Sequence, residues 1–341
     1  MNTLLLDHKK LLKQEQSEIS LPSVDPHVTH QHLSRLIPTN SDYLELMLQY
    51  TWKEVQRDMG ADGDRTTRTL FTNARRATAR ILVKEDGLVA GTQELAFIGK
   101  NYFKPNIDVE IELMKCDGER IKRGDVICEL KGSLHGILHV ERAVVNLLAR
   151  MCGVATKTAR TIAKLDDLKR KPLVTATRKT LWGLLDKRAA GVGGAATHRL
   201  TLADGVLIKD THLDPLGRDI AKAIRDFFMT RRIPRGIYFF EIEVHSLHEA
   251  LIAAETFSSL YEKRLITLPC YIMFDNMSVS QIEETFIQLR KRNLMGGIGF
   301  EASGGITEDN IVSYAKTGVD IISMGSLTHS ARSLDLSLKV L

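Results

Sequence analysis

After Pro172 the chain repeats one pattern, in which short apolar segments alternate with longer stretches of helical periodicity. Strands that alternate with helices in this way form a parallel sheet. Six such units, and a seventh that the pattern does not mark clearly, predict a closed or nearly closed (β/α) barrel. No GxGxxG motif follows the first strand, which argues against a dinucleotide-binding fold. The predicted strands are LVTATRK, DGVLIKD, IYFFEIEV, CYIMFDN, IGFEASGG and DIISMGS.

Charged residues lie at or near the ends of four of these segments. Arg178 and Lys179 follow LVTA, Lys209 follows GVLI, Glu243 lies in YFFEIEV, and Asp275 follows CYIMF. In a (β/α) barrel the carboxyl ends of the strands meet on one face and carry the active site. The sequence therefore predicts one polar site that is built from several strands.

The two carboxylates of this predicted site need a compensating charge. An unpaired charge in an apolar strand costs several kcal/mol. We therefore expect Glu243 and Asp275 either to hold Mg²⁺, partly through water, or to pair with Lys179 or Lys209. Glu241 shares the parity of Glu243, and the sequence leaves open which of the two faces the site.

Glycine turns follow the last two predicted strands. Ser303, Gly304 and Gly305 come after IGFEA, and Gly325 and Ser326 come after DIISM. Paired turns at this end of a barrel commonly bind phosphate through backbone N–H groups and a helix N-terminus. We expect a phosphate site here, with two plain turns as the alternative.

A basic cluster adjoins the site. Residues 178–212 carry six Lys or Arg and three Asp, a surplus of three positive charges in a segment that otherwise reads as core. This surplus favours a small ligand with several negative charges, recognised by Arg178, His198, Arg199 and Lys209. A buried strand lysine can also act as a Schiff-base nucleophile, so a lyase that uses Lys209 is a second interpretation.

The rest of the chain predicts a second domain. Residues 1–40 are polar, and we expect a loosely packed extension, although His27, His30 and His32 could be metal ligands. Residues 41–145 begin with a helix and continue with alternating segments, which predict an α/β domain with an antiparallel sheet. The barrel is expected over 146–330, and 331–341 is expected to return to the first domain. A long helix is predicted to open at Glu141 and Arg142.

Bulk properties narrow the functional class. The 341 residues have 43% hydrophobic content and a formal charge of only +5, which predicts a soluble enzyme that binds no nucleic acid. The four cysteines form no CxxC pair, which favours a reducing compartment. The start, MNTLLLDHKK, lacks the hydrophobic region of a signal peptide, and no apolar run could span a membrane. We expect a cytoplasmic protein.

A series of motifs in fixed order resembles the quinolinate phosphoribosyltransferase family (nicotinate-nucleotide pyrophosphorylase, carboxylating), a type II phosphoribosyltransferase family. The resemblance runs from about residue 41 to the C-terminus. It implies an N-terminal α/β sandwich joined to an incomplete seven-stranded α/β barrel, usually as a homodimer or larger homo-oligomer. It also implies transfer of phosphoribosyl from phosphoribosyl pyrophosphate to quinolinate, with loss of CO₂. The motifs are ERAVVNLLARMCGVAT, TRKT, GGAATHR, DGVLIKDTH, EIEV, FDNMS and EASGGIT…NI…YAKTGVDIISMGSLTHS.

The resemblance also assigns site residues. It gives catalytic roles to Lys179, Lys209, Glu243 and Asp275, with Mg²⁺ at the two carboxylates. Lys179, Glu243 and Asp275 are expected to bind phosphoribosyl pyrophosphate. Quinolinate is expected to be bound by Arg178, His198, Arg199, Lys209 and, from the other subunit, Arg142. The 5′-phosphate is expected at Ser303, Gly304, Gly325 and Ser326.

One segment departs from the family pattern. TRKT runs into LWGLLDK, which is about two residues shorter than the usual loop and has Trp182 in place of its Pro and Arg. This loop adjoins Lys179, so its closure over pyrophosphate could differ, and rate and substrate preference are open. A relative that binds quinolinate without turnover is therefore a third interpretation.

Overall fold

The computed structural model describes residues 24–230 and 235–341. Its strands form a four-stranded sheet, a six-stranded sheet and a two-stranded ribbon. They are β1 (Arg76–Val83), β2 (Gly87–Leu88), β3 (Val109–Leu113), β4 (Arg120–Ile121), β5 (Val126–Ser133), β6 (Leu173–Ala176), β7 (Val206–Ile208), β8 (Phe240–Val244), β9 (Cys270–Asp275), β10 (Ile298–Ser303), β11 (Ile321–Met324) and β12 (Leu336–Val340).

The α-helices in this part of the chain are mostly short, apart from one of 30 residues. None of them is both long and apolar enough to cross a membrane. They are Pro26–Thr29, Ser41–Gln49, Trp52–Met59, Arg65–Leu70, Thr92–Ile98, Lys104–Ile107, Leu134–Ala163, Leu184–Val192, Asp210–Leu213, Ile220–Met229, Leu247–Glu262, Val279–Lys291, Ile311–Lys316 and Ser326–His329.

The first sheet is antiparallel, with the order β12-β1-β5-β3. β12 comes from the C-terminal tail and pairs with β1. The paired residues run from Ala79 opposite Val340 to Val83 opposite Leu336. The tail thus reaches back across the molecule to the edge of the N-terminal sheet. The core-facing positions of β1 alternate, since Ala79, Ile81 and Val83 are buried.

The second sheet is the predicted barrel. All six predicted strands are present and parallel, in the order β6-β11-β10-β9-β8-β7. Neighbours in the sheet follow chain order, and β11 closes back onto β6, as in a barrel. On the free side of β6, a single bridge between Thr175 and Ala196 takes the place of a seventh strand. The ring is therefore incomplete between Ala196 and β7.

The predicted long helix begins earlier than expected. It starts at Leu134, where Ser133 caps it by accepting the N–H of Gly136, so Glu141 and Arg142 lie two turns inside rather than at its start. The prediction of a helix start at Glu141 was wrong because SLHGILHV carries a cap that the apolar pattern alone does not mark. Near residue 41 the single predicted helix is divided into two at Tyr50 and Thr51.

The N-terminal segment 24–36 spans the open edge of the barrel. The Thr197 hydroxyl donates to the carbonyl of His30 and accepts the N–H of His32, and Arg35 pairs with Asp204 just before β7. His30 is fully buried and stacks on Phe239. The prediction of a loosely packed extension is therefore wrong here, because the missing strand leaves an apolar floor that this segment covers. Residues 1–23 of the predicted extension lie outside the described residues.

Candidate active site

A cavity of about 510 Å³ lies at the carboxyl ends of the barrel strands. It brings together nine of the twelve predicted site residues, which are Arg178, Lys179, His198, Arg199, Lys209, Glu243, Asp275, Ser303 and Gly304. Each lies near or just after the carboxyl end of a strand, or in the loop after the Ala196 bridge, so the parallel sheet itself assembles the group. Arg142, Gly325 and Ser326 do not line this cavity.

Glu243 and Lys209 form an ion pair on adjacent strands. Their side chains meet at 2.6 Å between Nζ and Oε1, with Glu243 7% exposed and Lys209 40% exposed. Burial raises the pKa of Glu243 above its ordinary value, the bond from Lys209 opposes this, and the charge of Asp275 adds to it. The internal salt bridge that the sequence offered as an alternative is thus present, within reach of the cavity.

Glu241 and Glu243 both point into the barrel but at different depths. Glu243 lines the cavity, whereas Glu241 is fully buried one layer below, beside His198. Side chains two residues apart on a strand share a face, so parity alone could not separate them. The structure identifies Glu243 as the carboxylate that faces the cavity.

Asp275 is held at the rim by its own neighbours. The side-chain amide of Asn276 donates to Asp275 Oδ2 at 2.9 Å, and His245 Nδ1 lies 3.7 Å from the same oxygen. The backbone N–H of Asn276 in turn donates to the carbonyl of Ser303 on the next strand. Sequence reasoning missed Asn276 and His245, although both follow strands in the way the charged residues do.

The two glycine turns differ in their relation to the cavity. Gly304 has a φ of +84°, and a Cβ there would lie 2.4 Å from Asn276 Oδ1, so only glycine fits beside Asp275. At the second turn, a Cβ on Gly325 would lie 3.3 Å from Cδ of Lys179. The helices that follow the two turns are short, Ile311–Lys316 and Ser326–His329.

His198 forms part of the cavity floor. It is 5% exposed, and its Nε2 lies 3.4 Å from carboxylate oxygens of both Glu241 and Glu301. Burial alone would lower the pKa of His198, but the two carboxylates outweigh burial and raise it. The residue also has a φ of +51°, a backbone conformation that is costly for histidine and common at functional sites.

A buried lysine ties two walls of the cavity together. Nζ of Lys187 donates to the carbonyl of Ala176, at the end of β6, and to that of Thr197. These carbonyls lie one or two residues from Arg178 and His198. Burial, followed by the charges of Arg178 and Arg199, lowers the pKa of Lys187 to about 7. Sequence reasoning counted Lys187 only as one of the basic cluster.

Arg142 lies apart from this group. It lines a separate cavity of about 300 Å³ together with Tyr50, Glu54, Asp58 and Trp182. Its side chain is 63% exposed. Within one chain, Arg142 is therefore not placed to contact a ligand in the barrel.

Comparison with known proteins now identifies the family. The model of the quinolinate phosphoribosyl transferase N-terminal domain matches residues 64–152, and that of the C-terminal domain matches residues 154–339. The chain belongs to the quinolinate phosphoribosyltransferase family. The two models meet inside the helix Leu134–Ala163, a few residues beyond the boundary expected at 145.

Relatives in three groups of organisms resemble most of the chain. A probable nicotinate-nucleotide pyrophosphorylase [carboxylating] of Methanothermobacter thermautotrophicus is 34% identical over 86% of this chain and 99% of its own. A quinolinate phosphoribosyltransferase [decarboxylating] of Nicotiana glauca is 32% identical over 84% of this chain and 80% of its own. The crystal structure of NadC from Streptococcus pyogenes matches with a TM-score of 0.70 and 30% identity, over 90% of this chain and 99% of that one.

The loop that departs from the family pattern is firmly held. Asp186 accepts the N–H groups of Leu181 and Trp182 and pairs bidentately with Arg150, both buried. The Trp182 ring stacks on Tyr50, with centroids 4.5 Å apart and an interplanar angle of 13°. Trp182 therefore joins the loop after Lys179 to the N-terminal helical region.

We expect Trp182→Ala to loosen this loop. Loss of the stack removes roughly 1 kcal/mol beyond the buried area itself, so the melting temperature should fall by a few degrees. Because the loop follows Lys179 directly, the KM for phosphoribosyl pyrophosphate should rise several-fold while quinolinate binding is unchanged. Steady-state kinetics and calorimetric binding measure the two effects.

Trp52→Ala is the matched control for this variant. Trp52 packs near Tyr102 and Phe103, away from the barrel cavity, so its loss should lower stability without changing either KM. Trp182→Phe, which keeps an aromatic ring against Tyr50, should have a KM for phosphoribosyl pyrophosphate close to that of the wild type. Equal KM values in Trp182→Ala and the wild type would show that the stack does not act on the site.

We expect Lys187→Met to alter the pH dependence of stability. The unfolded chain keeps the Lys187 proton up to about pH 10.5, whereas the folded protein releases it near pH 7. Stability of the wild type should therefore rise from pH 7 towards pH 10, by up to about 1.4 kcal/mol per pH unit from this residue. Urea unfolding at several pH values should show that the free energy of unfolding of Lys187→Met lacks this rise with pH. Lys222→Met removes a lysine from an exposed pair with Asp226 and should keep the rise.

The same variant should impair activity. Methionine fills the volume but leaves the carbonyls of Ala176 and Thr197 without their donor, which loosens the strand ends beside Arg178 and His198. Misplacement of this kind lowers kcat/KM by roughly 10- to 100-fold. Wild-type kinetics together with a wild-type pH profile of stability would contradict the tethering role.

Proposed function

We propose that this protein transfers the phosphoribosyl group of phosphoribosyl pyrophosphate to quinolinate, giving nicotinate mononucleotide, pyrophosphate and CO₂, a step of NAD biosynthesis. The observation that carries this proposal is that one cavity joins a cluster of cationic side chains to a carboxylate pair and a glycine turn. A dianionic acid, a metal pyrophosphate and a sugar phosphate each have a matching group there. Family membership supports the same reaction.

Quinolinate is a dicarboxylate, and the cationic wall suits it. Arg178 and Arg199 line the cavity, and guanidinium groups bind carboxylates through two parallel hydrogen bonds. Nζ of Lys209 is paired with Glu243 and is 40% exposed, so it can turn to a ligand carboxylate. His198 lies deeper and can contribute only at the floor.

Glu243 and Asp275 fit a magnesium site for the pyrophosphate. Both open on the cavity, and a small number of carboxylate oxygens is what Mg²⁺ takes from a protein, with water and phosphate as its other ligands. When bound, Mg²⁺ would neutralise charge on the departing pyrophosphate. Lys179 lies at the same rim, where its ammonium group can take up the rest of that charge.

Bond changes at the reacting centre need few protein groups. The bond from the anomeric carbon to pyrophosphate breaks as the quinolinate nitrogen bonds to that carbon, and Glu243 or Asp275 can stabilise the cation-like sugar. The nitrogen then carries a positive charge and draws in the electron pair left when the 2-carboxylate departs as CO₂. A proton adds to that ring carbon. Arginine and lysine contacts orient the ring for both steps.

We also propose a homodimer or larger homo-oligomer in the cytoplasm, with Arg142 completing a neighbour's site. Arg142 is exposed and lies outside the active-site cavity of its own chain, as a residue that is supplied to another subunit must. The cysteines Cys116, Cys128, Cys152 and Cys270 are free, as expected in a reducing compartment. Mixing inactive Arg142→Ala and Lys209→Met chains should restore activity, because some mixed dimers contain one intact site. No recovery after verified subunit exchange would contradict shared sites.

The reaction is tested by measuring release of CO₂ and pyrophosphate from quinolinate, phosphoribosyl pyrophosphate and Mg²⁺, with nicotinate in parallel. The expected result is that CO₂ and pyrophosphate are released in equal amounts when quinolinate is the acid, and that nicotinate in its place gives no release. Pyrophosphate release with nicotinate would reassign the acid substrate. Binding of quinolinate without release of either product would favour a non-catalytic relative, and borohydride trapping of a carbonyl compound on Lys209 would favour a lyase.

A further inference from the structure

At the floor of the active-site cavity, four side chains of types that can ligate a metal meet in the barrel interior, and two of them, His198 and Glu301, also line the cavity. The four are His30 of the N-terminal segment, His198, Glu241 of β8 and Glu301 of β10, and one ligand atom from each lies within 4.8 Å of all the others. His30, Glu241 and Glu301 are fully buried, and His198 is 5% exposed. They are distinct from Glu243 and Asp275, which lie one layer above.

The polar atoms of this cluster lack well-formed hydrogen bonds, and the donor nearest to the two carboxylates is Nε2 of His198, 3.4 Å from one oxygen of each. Both carboxylate oxygens of Glu241, both of Glu301 and Nε2 of His30 have no hydrogen-bond partner among residues 24–230 and 235–341. One imidazole group shared by two buried carboxylates leaves negative charge uncompensated, and a buried charge without a close partner costs several kcal/mol. A divalent cation would balance both charges at once.

The hydrogen bonds at Nδ1 of His30 and of His198 indicate whether Nε2 of each ring carries a lone pair or a proton. Nδ1 of His30 lies 2.8 Å from Oγ1 of Thr29, which can accept its proton and leave the Nε2 lone pair turned to the cluster. Metal-binding histidines are held in this way by a bond at the other nitrogen. Nδ1 of His198 instead accepts the N–H of Arg199 at 2.8 Å, so its Nε2 carries the proton and acts as a donor.

We propose that His30, Glu241 and Glu301 bind one divalent transition-metal ion, and that His198 supports the site by donating from Nε2 to a ligating carboxylate. A mixed set of imidazole and carboxylate ligands suits zinc, which imposes no geometry of its own. Tetrahedral bonds of about 2.0–2.2 Å place ligand atoms about 3.4 Å apart, so side chains whose ligand atoms now lie within 4.8 Å of one another would move closer by up to about 1.4 Å. The ion would fasten segment 24–36 to the barrel and fix the floor of the cavity. This inference does not depend on the proposed reaction.

The first test is the metal content of the full-length protein. Protein made in medium supplemented with Zn²⁺, and purified without chelators, should retain close to one zinc per chain after dialysis. His30→Phe, which keeps an aromatic ring against Phe239, and Glu241→Gln should each lower the zinc content at least tenfold. His27→Ala is the matched control, because His27 is an exposed histidine of the same segment, and it should keep its zinc.

A cobalt-substituted wild-type protein tests the ligands without relying on a variant. Visible absorption bands of a low-symmetry Co²⁺ site with a nitrogen ligand are expected, unaffected by excess Mg²⁺, which would compete at Glu243 and Asp275. Wild-type protein with less than a tenth of a metal ion per chain and no such bands would overturn the proposal, and would indicate that Glu241 and Glu301 share a proton. Full zinc content in both variants would overturn the ligand assignment.

Discussion

Lys209→Met is expected to lower kcat/KM for quinolinate by roughly 100- to 1,000-fold, since it removes a cation from a desolvated carboxylate site. Lys209 lies at the end of β7 with its ammonium group 2.6 Å from Glu243. The variant removes the charge that we propose binds quinolinate and also leaves Glu243 without its partner. Most of the loss should appear in quinolinate affinity, which calorimetric titration measures directly.

The fold of this variant should be unaffected, because the Lys209 side chain is 40% exposed and methionine replaces its aliphatic stem. Lys222→Met, at an exposed pair with Asp226 on a helix, is the matched control and should keep wild-type kinetics. A double-mutant cycle with Glu243→Gln would show how much of the loss in kcat/KM depends on the ion pair between Lys209 and Glu243. Unchanged quinolinate affinity in Lys209→Met would remove Lys209 from the site.

Strand ends were the most predictable part of this molecule. Each apolar segment is short and followed by a polar residue, so β6 to β11 and the residues after them could be placed from the sequence. Parallel strands bring such residues to one face whatever the details of packing. For this reason Arg178, Lys209, Glu243 and Asp275 could be expected together before any coordinates were known.

Contacts between segments distant in sequence were not predictable in the same way. His30 is a histidine in a polar, proline-containing stretch, and only the gap between Ala196 and β7 explains why it is buried. Lys187 looks like any helix lysine until its two carbonyl partners are known. Parity also could not rank Glu241 and Glu243, because depth within a barrel depends on where neighbouring strands begin.

Asp275→Ala is expected to lower kcat by roughly 100-fold or more, because the proposed Mg²⁺ and its ligands would supply most of the charge stabilisation at the departing pyrophosphate. Asp275 ends β9 at the cavity rim, supported by the amide of Asn276. With one carboxylate left, half-saturation by Mg²⁺ should need at least about tenfold more metal. Quinolinate affinity without phosphoribosyl pyrophosphate should stay within about twofold, since the arginines and Lys209 are intact.

This division of effects separates a metal ligand from a mere salt-bridge partner. If Asp275 served only to balance nearby cations, its removal would strengthen binding of the quinolinate dianion and leave the Mg²⁺ dependence as it was. Asp226→Ala, at an exposed carboxylate that pairs with Lys222, controls for a general change in charge. A magnesium titration that coincides with the wild type would show that Asp275 does not hold the ion. Glu243 and Asp210, the other carboxylates near the rim of the cavity, would then be the candidates, because the cavity depth that excludes Glu241 is fixed by the strand itself.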